Sequence, residues 1–243
     1  MNCQDAETES LALLKETQTI LASALNGLGG KSTQGEASYL AWGCVHANKI
    51  VEGYHTLRSS GRFYASKILV RPVIETTFAV VAALKRPGFL FRKAYTEYLE
   101  ERKLLEEGKR LAEQAADNPA EKAQLSAQYA SHLADVEEHF RQFSEGYGKL
   151  HPGEAMNQQK VTAFDAASAA ELGPWYSRYR IYCQFAHGSL QAASGNLDDA
   201  TDPSDNLGMV WMTLILLGEL KRHTPTEVPD LAPYWKRAEA MLR

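Results

Sequence analysis

Apolar residues recur at helical spacing along nearly the whole chain, and glycine or proline interrupts the pattern at each stage. Leu11, Leu14, Leu21 and Leu25 mark the inner stripe of a first helix, with Gln18 its one polar member. Residues three, four and seven positions apart share one helix face, so this stripe can be buried as a unit. Gly27 and the Gly29-Gly30 pair end it, since glycine readily takes the conformation that follows a helix terminus. A second helix is expected over about 38–59 and, after Gly61, a third over about 62–85, stopped by Pro87-Gly88. Pro72 lies inside the third pattern, which predicts a kink or a true start near residue 71. The fourth helix, about 91–116, and the fifth, about 119–145 from Asn118-Pro119, are dense in charge and read as a long, solvated helical hairpin. Gly146, Gly148, Pro152 and Gly153 predict a loop over 146–163. A short helix near 165–171 follows, then one over about 174–193 opened by Gly173-Pro174, an acidic loop over 196–205, and two last helices over about 206–222 and 230–242. Few stretches alternate with period two, so strands are not supported, and no solenoid-length repeat is present. The expected fold is all-α: a single-domain multi-helix bundle of about seven to nine helices over residues 1–243, with the charged helical hairpin over 91–145 as an arm within it.

Composition bounds the class without naming an activity. The chain has 243 residues, with 26 Lys and Arg against 30 Asp and Glu, a formal charge of −4. That balance argues against a dedicated nucleic-acid protein while leaving room for a local basic patch. Hydrophobic residues make up 44% and charged residues 23%, too apolar for general disorder. Cys3, Cys44 and Cys183 are far apart with no CxxC, which excludes a disulfide framework and a thiolate zinc site and reads as reduced thiols. The acidic, polar start, Met1 to Asp5, lacks the regions of a secretory leader, so a cytoplasmic location is expected. Phe63 to Leu84 is apolar enough to consider as a membrane span. It carries Lys67, Arg71 and Glu75, and a charge at a bilayer centre costs about 2.5–3.5 kcal/mol, so it reads as a core helix with no membrane partner.

Two clusters of polar side chains stand out. Lys67, Arg71 and Glu75, four residues apart, lie on one stripe of an otherwise apolar helix. Buried charges are costly unless paired, so Arg71 and Glu75 are expected to pair with each other or with the helix bearing Tyr176 to His187, ordering the core or lining a cleft. Later, Tyr176, Arg180, Gln184 and His187 fall in one narrow stripe. Arg180 and His187 are nearly eclipsed after two turns and about 10.5 Å apart along the axis, a spacing that can flank one extended polyanion. Metal chemistry finds little support, and no cofactor is expected. Glu52 and His55 form a lone Glu-x-x-His, where a di-iron bundle needs two and further carboxylates. Asp198, Asp199, Asp202 and Asp205 lack EF-hand spacing and read as a solvated loop, with Asp205 capping the next helix. His132 and His139 read as a solvent-facing stripe. Phosphate-loop, nucleophile-elbow and dinucleotide fingerprints are missing.

Arg71-Pro72-Val73-Ile74-Glu75, followed by Tyr179-Arg180-Ile181-Tyr182-Cys183-Gln184-Phe185-Ala186-His187-Gly188, resembles the bacterial helical family catalogued as domain of unknown function 5677, over roughly Leu40 to Arg222. That resemblance implies an all-helical fold and no established activity. Arg180, six residues and His187 also resemble the Arg-x(4–6)-His pattern of HEPN domains, helical bundles that include metal-independent ribonucleases; Ile181 stands where active members often carry a polar residue. This second resemblance implies two motifs meeting across a homodimer. His187 would move a proton as the ribose 2′-hydroxyl attacks its phosphate, and Arg180 would stabilise the charge building on phosphorus.

Two functions therefore compete. One is an endoribonuclease of a toxin or defence system, with His187 and Arg180 catalytic and RNA as partner. The alternative is a non-enzymatic binding module in which Arg71, Glu75, Tyr176 and Gln184 line a polar groove for a small anionic ligand.

Overall fold

A computed structural model describes residues 3–28, 35–116, 118–154, 156–186 and 203–242. Among the described residues there are nine α-helices and no strand: α1 (Cys3–Gly27), α2 (Glu36–Ser59), α3 (Phe63–Lys85), α4 (Phe89–Ala115), α5 (Pro119–Leu150), α6 (Ala163–Ala169), α7 (Gly173–Ala186), α8 (Pro203–His223) and α9 (Ala232–Ala240). The protein is an all-α multi-helix bundle. The chain divides into two compact units, Met1–Lys85 with Ala163–Arg243, and Arg86–Thr162. None of the described helices is long and apolar enough to cross a membrane.

In the first unit α8 is apolar almost all round, as a helix enclosed on every side must be. Of its 21 residues 13 are buried, and it packs against α1, α2, α3 and α9. Leu14 and Leu21 of α1 are wholly buried, as the apolar stripe predicts, with Leu11 and Leu25 half-buried at its margin. Burying one such leucine contributes about 1.5–3 kcal/mol. Gln18 is satisfied within the stripe: its amide donates to Asn48 Oδ1 of α2 at 3.0 Å and its carbonyl accepts from Lys15 at 3.0 Å. Helix α3 runs unbroken through Pro72, so residue 71 is not a start. Its inner face, including Val70, Ile74, Phe78 and Val81, is buried, as expected of a core helix.

The break between α2 and α3 has a clear physical cause. Gly61 sits at φ 71°, and the Arg62 N–H reaches back to the Leu57 carbonyl at 2.8 Å, the signature of a Schellman end. The α6 end has the same geometry without glycine. Glu171 stands at φ 62°, the Leu172 N–H bonds the Ala167 carbonyl at 2.8 Å, and Lys85 holds the Glu171 carboxylate at 2.8 Å. This turn sets the entry of α7 beside α3.

The second unit is the α4–α5 hairpin with the segment that follows it. Asn118 caps α5 through the Glu121 N–H at 2.9 Å, with Pro119 in the first turn. The Gly146 and Gly148 positions are helical, so α5 runs to Leu150 rather than ending near 145. The reason is Tyr147 between them: it is buried, its ring lies 5.6 Å from Phe91, and its hydroxyl donates to Glu154 at 2.7 Å. Tertiary packing here outweighs the roughly 1 kcal/mol propensity cost of each glycine. The segment after α5 is tied to α4 by the Val161 N–H, which donates to the Thr96 hydroxyl at 2.8 Å. Along the hairpin, exposed i,i+3 and i,i+4 pairs such as Arg102–Glu106 and Arg110–Glu107 account for much of the charge density.

Candidate functional site

Helices α3 and α7 pack against each other and bring most of the predicted polar residues together. The Arg71 guanidinium lies 5.7 Å over the Tyr179 ring, and its Nε is 3.7 Å from Glu75 Oε2. Burial opposes the Arg71 charge, but Tyr179, Cys183 and Glu75 outweigh it, and the group holds its proton more firmly than usual. The Tyr179 phenol is pushed up to about 12, first by burial, then by the nearby Glu75 carboxylate and the bond to Cys183. The Arg71 and Glu75 side chains remain 27% and 41% exposed, so this pair lines a surface rather than sitting in the core.

The other stripe divides between faces. Tyr176 stacks on Tyr179 with centroids 5.8 Å apart and meets the Phe164 ring edge-on at 5.2 Å. Arg180 is exposed and bonded to Tyr176, and that bond raises its proton affinity. Gln184 is exposed one turn further on. Thus Arg71, Glu75, Tyr176 and Arg180 gather around Tyr179, and Gln184 stands apart in solvent. His187 lies outside the described residues, as do Gly188, Asp198, Asp199 and Asp202.

A second polar cluster was not anticipated. Arg58 of α2, with no exposed side-chain surface, donates from Nε and Nη2 to the two carboxylate oxygens of Glu7 at 3.0 and 2.9 Å. Its Nη1 is 3.6 Å from Asp205 Oδ2, and its guanidinium packs 4.9 Å from the Phe63 ring centroid. Asp205 also accepts the Tyr182 hydroxyl at 2.6 Å and faces Lys67 at 3.9 Å. Burial, then Asp205, drives the Tyr182 phenol far above its ordinary range. Beside it, the Tyr54 hydroxyl donates to Asn206 Oδ1 at 2.7 Å, and the Asn206 amide donates to Ser10 at 2.9 Å. Asp205 is therefore not a solvated cap. It is 4% exposed, inside the first turn of α8, and its charge is absorbed by groups from α2, α3 and α7.

Next to this cluster α3, α7 and the first turn of α8 enclose a pocket of about 320 Å³. Lys67, Arg178 and Asp205 give it its charge, and Ile181, Tyr182 and Phe185 form an apolar wall. Ile181 is 53% exposed and marks the solvent side. No group of three or more His, Cys, Asp and Glu among the described residues is placed to hold a metal ion.

A family model matches residues 38–205, from α2 to the first turn of α8. The chain belongs to the family of unknown function DUF5677. The matched span contains the Arg71–Glu75 pair, all of α7 and Asp205, and so both polar clusters except Glu7, Ser10 and Asn206. No curated protein and no solved structure matches the chain.

Proposed function

We propose that the protein is a helical binding module whose polar groove along α3 and α7 takes a small ligand. The observation that carries this reading is the pocket of about 320 Å³ with Lys67, Arg178 and Asp205 in its walls. A concave site with an apolar wall and a few convergent polar groups is the usual form of a ligand site, and this volume lies at the small end of the range. Replacing buried charges with apolar side chains is often neutral or stabilising, so stability alone does not account for them. The neighbouring Arg71, Glu75 and Tyr176, with Gln184 further along α7, extend the polar surface beyond the pocket. The test is the thermal midpoint of the full chain against a panel of small charged and neutral molecules. A ligand at about 100 times its Kd adds about 2.7 kcal/mol of stability. A midpoint that no member of the panel moves would overturn the reading.

A second reading is favoured by Arg180 alone. Its guanidinium is exposed, with Tyr176 to orient it, and a planar fork of donors suits a phosphodiester. Together with His187 it would serve a HEPN-like, metal-independent RNA-cleaving protein of a toxin or defence system, acting as a homodimer. Incubation with total RNA in EDTA would then leave 2′,3′-cyclic phosphate ends, and His187→Ala would abolish cleavage without unfolding the chain. Intact RNA after incubation with wild-type protein eliminates this reading.

A further inference from the structure

We infer that the occupant of the pocket at Lys67, Arg178 and Asp205 is an aromatic monocarboxylate, its carboxylate on Arg178 and its ring against Phe185 and Tyr182. This rests on the reading of that pocket as a ligand site and narrows it to one chemical class.

Among the described residues, the cluster and the pocket together hold three cations, Arg58, Lys67 and Arg178, and two carboxylates, Glu7 and Asp205. Arg58 takes Glu7 in a two-pronged pair, and Asp205 answers Arg58 and Lys67. Among the described residues no carboxylate is paired with Arg178. Its neighbours include the Ser204 carbonyl at 3.5 Å, the Trp175 ring at 5.4 Å and the neutral Tyr182 phenol, and none of these is an anion. Among the described residues the pocket wall therefore carries one positive charge without an anion, which favours a single negative charge in the pocket. A monoanion satisfies it, whereas a doubly charged phosphate would leave the site negative beside Asp205. The guanidinium presents paired donors in the geometry of a carboxylate, and such charge-assisted pairs are roughly twice as strong as neutral hydrogen bonds. The wall carrying Ser204 and Asp205 is the opening turn of α8, whose leading N–H groups have no acceptor within the helix and favour negative charge nearby.

The apolar wall selects the rest of the occupant. Ile181, Tyr182 and Phe185 cover the α7 side, and Lys67 Nζ lies 5.2 Å from the Phe185 ring centroid. An inorganic anion or acetate would neutralise Arg178 and leave this wall wet. A flat ring covers it, and aromatic pairs in offset or edge-on contact contribute about 0.5–1.5 kcal/mol beyond the area they bury. A volume of about 320 Å³ holds one small ring system with its carboxylate. A cationic occupant is disfavoured, because Lys67 and Arg178 repel it and Asp205 already serves Tyr182, Lys67 and Arg58.

The experiment titrates the full-length chain with benzoate, acetate, benzylamine and inorganic phosphate, following tryptophan fluorescence, since Trp175 lies against Arg178. Benzoate is expected to bind saturably and at least about tenfold tighter than acetate or phosphate, with benzylamine silent, a tenfold ratio being about 1.4 kcal/mol. Arg178→Gln should weaken benzoate at least about tenfold, Arg178→Lys by less, and Ser177→Ala on the exposed face of α7 should leave it unchanged, each variant first matched to wild type by circular dichroism. Should Arg178→Gln fail to fold, Lys67→Gln takes its place, with a smaller loss expected because Lys67 is already paired. Saturable binding of benzylamine in preference to benzoate overturns the inference and leaves the pocket a ligand site. Equal binding of benzoate and acetate overturns the aromatic assignment, and benzoate binding unaffected in Arg178→Gln overturns the anchor. Silence from all four probes overturns the inference, while the ligand-site reading falls only if the wider thermal panel is silent as well.

Discussion

Arg58 and Arg71 are both arginines beside a glutamate, yet their surroundings give them opposite energetic weight. Arg58 is sealed, and its Glu7 partner is only 10% exposed, so removing one partner strands a buried charge. Glu7→Gln should lower the unfolding free energy by about 3–5 kcal/mol. Arg71 and Glu75 are partly solvated, so Glu75→Gln should cost under about 1 kcal/mol. Urea denaturation of both variants checks this, and equal midpoints would refute the contrast. The sequence reveals the Arg71–Glu75 pair because four residues is one helical turn. It conceals the Glu7–Arg58 pair, whose members are 51 residues apart and share no local pattern. Asp205 reads from the sequence as a helix cap at the end of an acidic loop, and no local pattern announces that it is buried against Arg58 and Tyr182. Titration at this scale has a definite sign. Tyr179 ionises near 10.0 when unperturbed and at about 12 in the folded chain, so the fold favours its neutral form. That contribution is complete below pH 10 and is lost as pH rises toward 12. Buried Tyr182 and Cys44 shift in the same direction. Stability should therefore fall over this alkaline window, and less steeply in Tyr179→Phe. A denaturation midpoint constant from pH 10 to 12 would contradict it.

At the scale of elements, the close approach of α2 to α3 depends on one missing methyl group. A Cβ built on Gly43 would overlap the Val80 Cγ2 methyl and touch Thr76 at 3.4 Å. Val80 is β-branched and stiff within a helix, so it has little room to rotate away. Gly43→Ala gains about 1 kcal/mol of helix propensity but forces the two backbones apart. Overpacking of this kind typically costs 1–3 kcal/mol, so a net loss of about 0–2 kcal/mol is expected. Combining it with Val80→Ala should return the midpoint to that of Val80→Ala alone or above it. A more stable Gly43→Ala single variant would show that the crossing yields easily. Helix boundaries were legible where the backbone itself dictates them. Gly61 at φ 71° and the Asn118 cap fall where the residue types indicate. They were illegible where packing decides: Gly146 and Gly148 stay helical because Tyr147 is anchored, and no local pattern announces that Phe91 waits for its ring. The paired helices α3 and α7 follow the same division. Their polar residues could be read from sequence, while Arg178, whose partner is a carbonyl in another helix, could not.

Across the whole molecule, the two units hold their helices by different means, and that difference has a measurable consequence. In the first unit, α8 buries 13 of its 21 residues and packs against α1, α2, α3 and α9, so opening it exposes much of the core at once. In the second unit, α4 and α5 have 27 and 32 residues, yet buried positions are confined to Phe89, Leu90, Phe91 and Thr96 on one helix and Tyr147 on the other. Their aromatic contacts cluster around Phe91, Phe140 and Tyr147, close to the open ends of the hairpin. Toward the turn at Asn118, exposed ion pairs and half-buried side chains remain, including Leu104 at 72% exposure. Each exposed pair contributes only about 0.3–0.5 kcal/mol, too little to hold a long helix against fraying. Local opening follows buried apolar contact rather than helix length. Amide hydrogen exchange should therefore run on the order of a hundredfold faster over residues 104–130 than over 207–220, with protection within the hairpin rising toward Phe91 and Tyr147. Salt offers a separate check. It screens surface ion pairs while leaving apolar burial intact, so raising ionic strength should speed exchange near the hairpin turn and leave α8 unchanged. Uniform protection across both segments would mean that the charged surface of the hairpin contributes far more than pairwise energies allow.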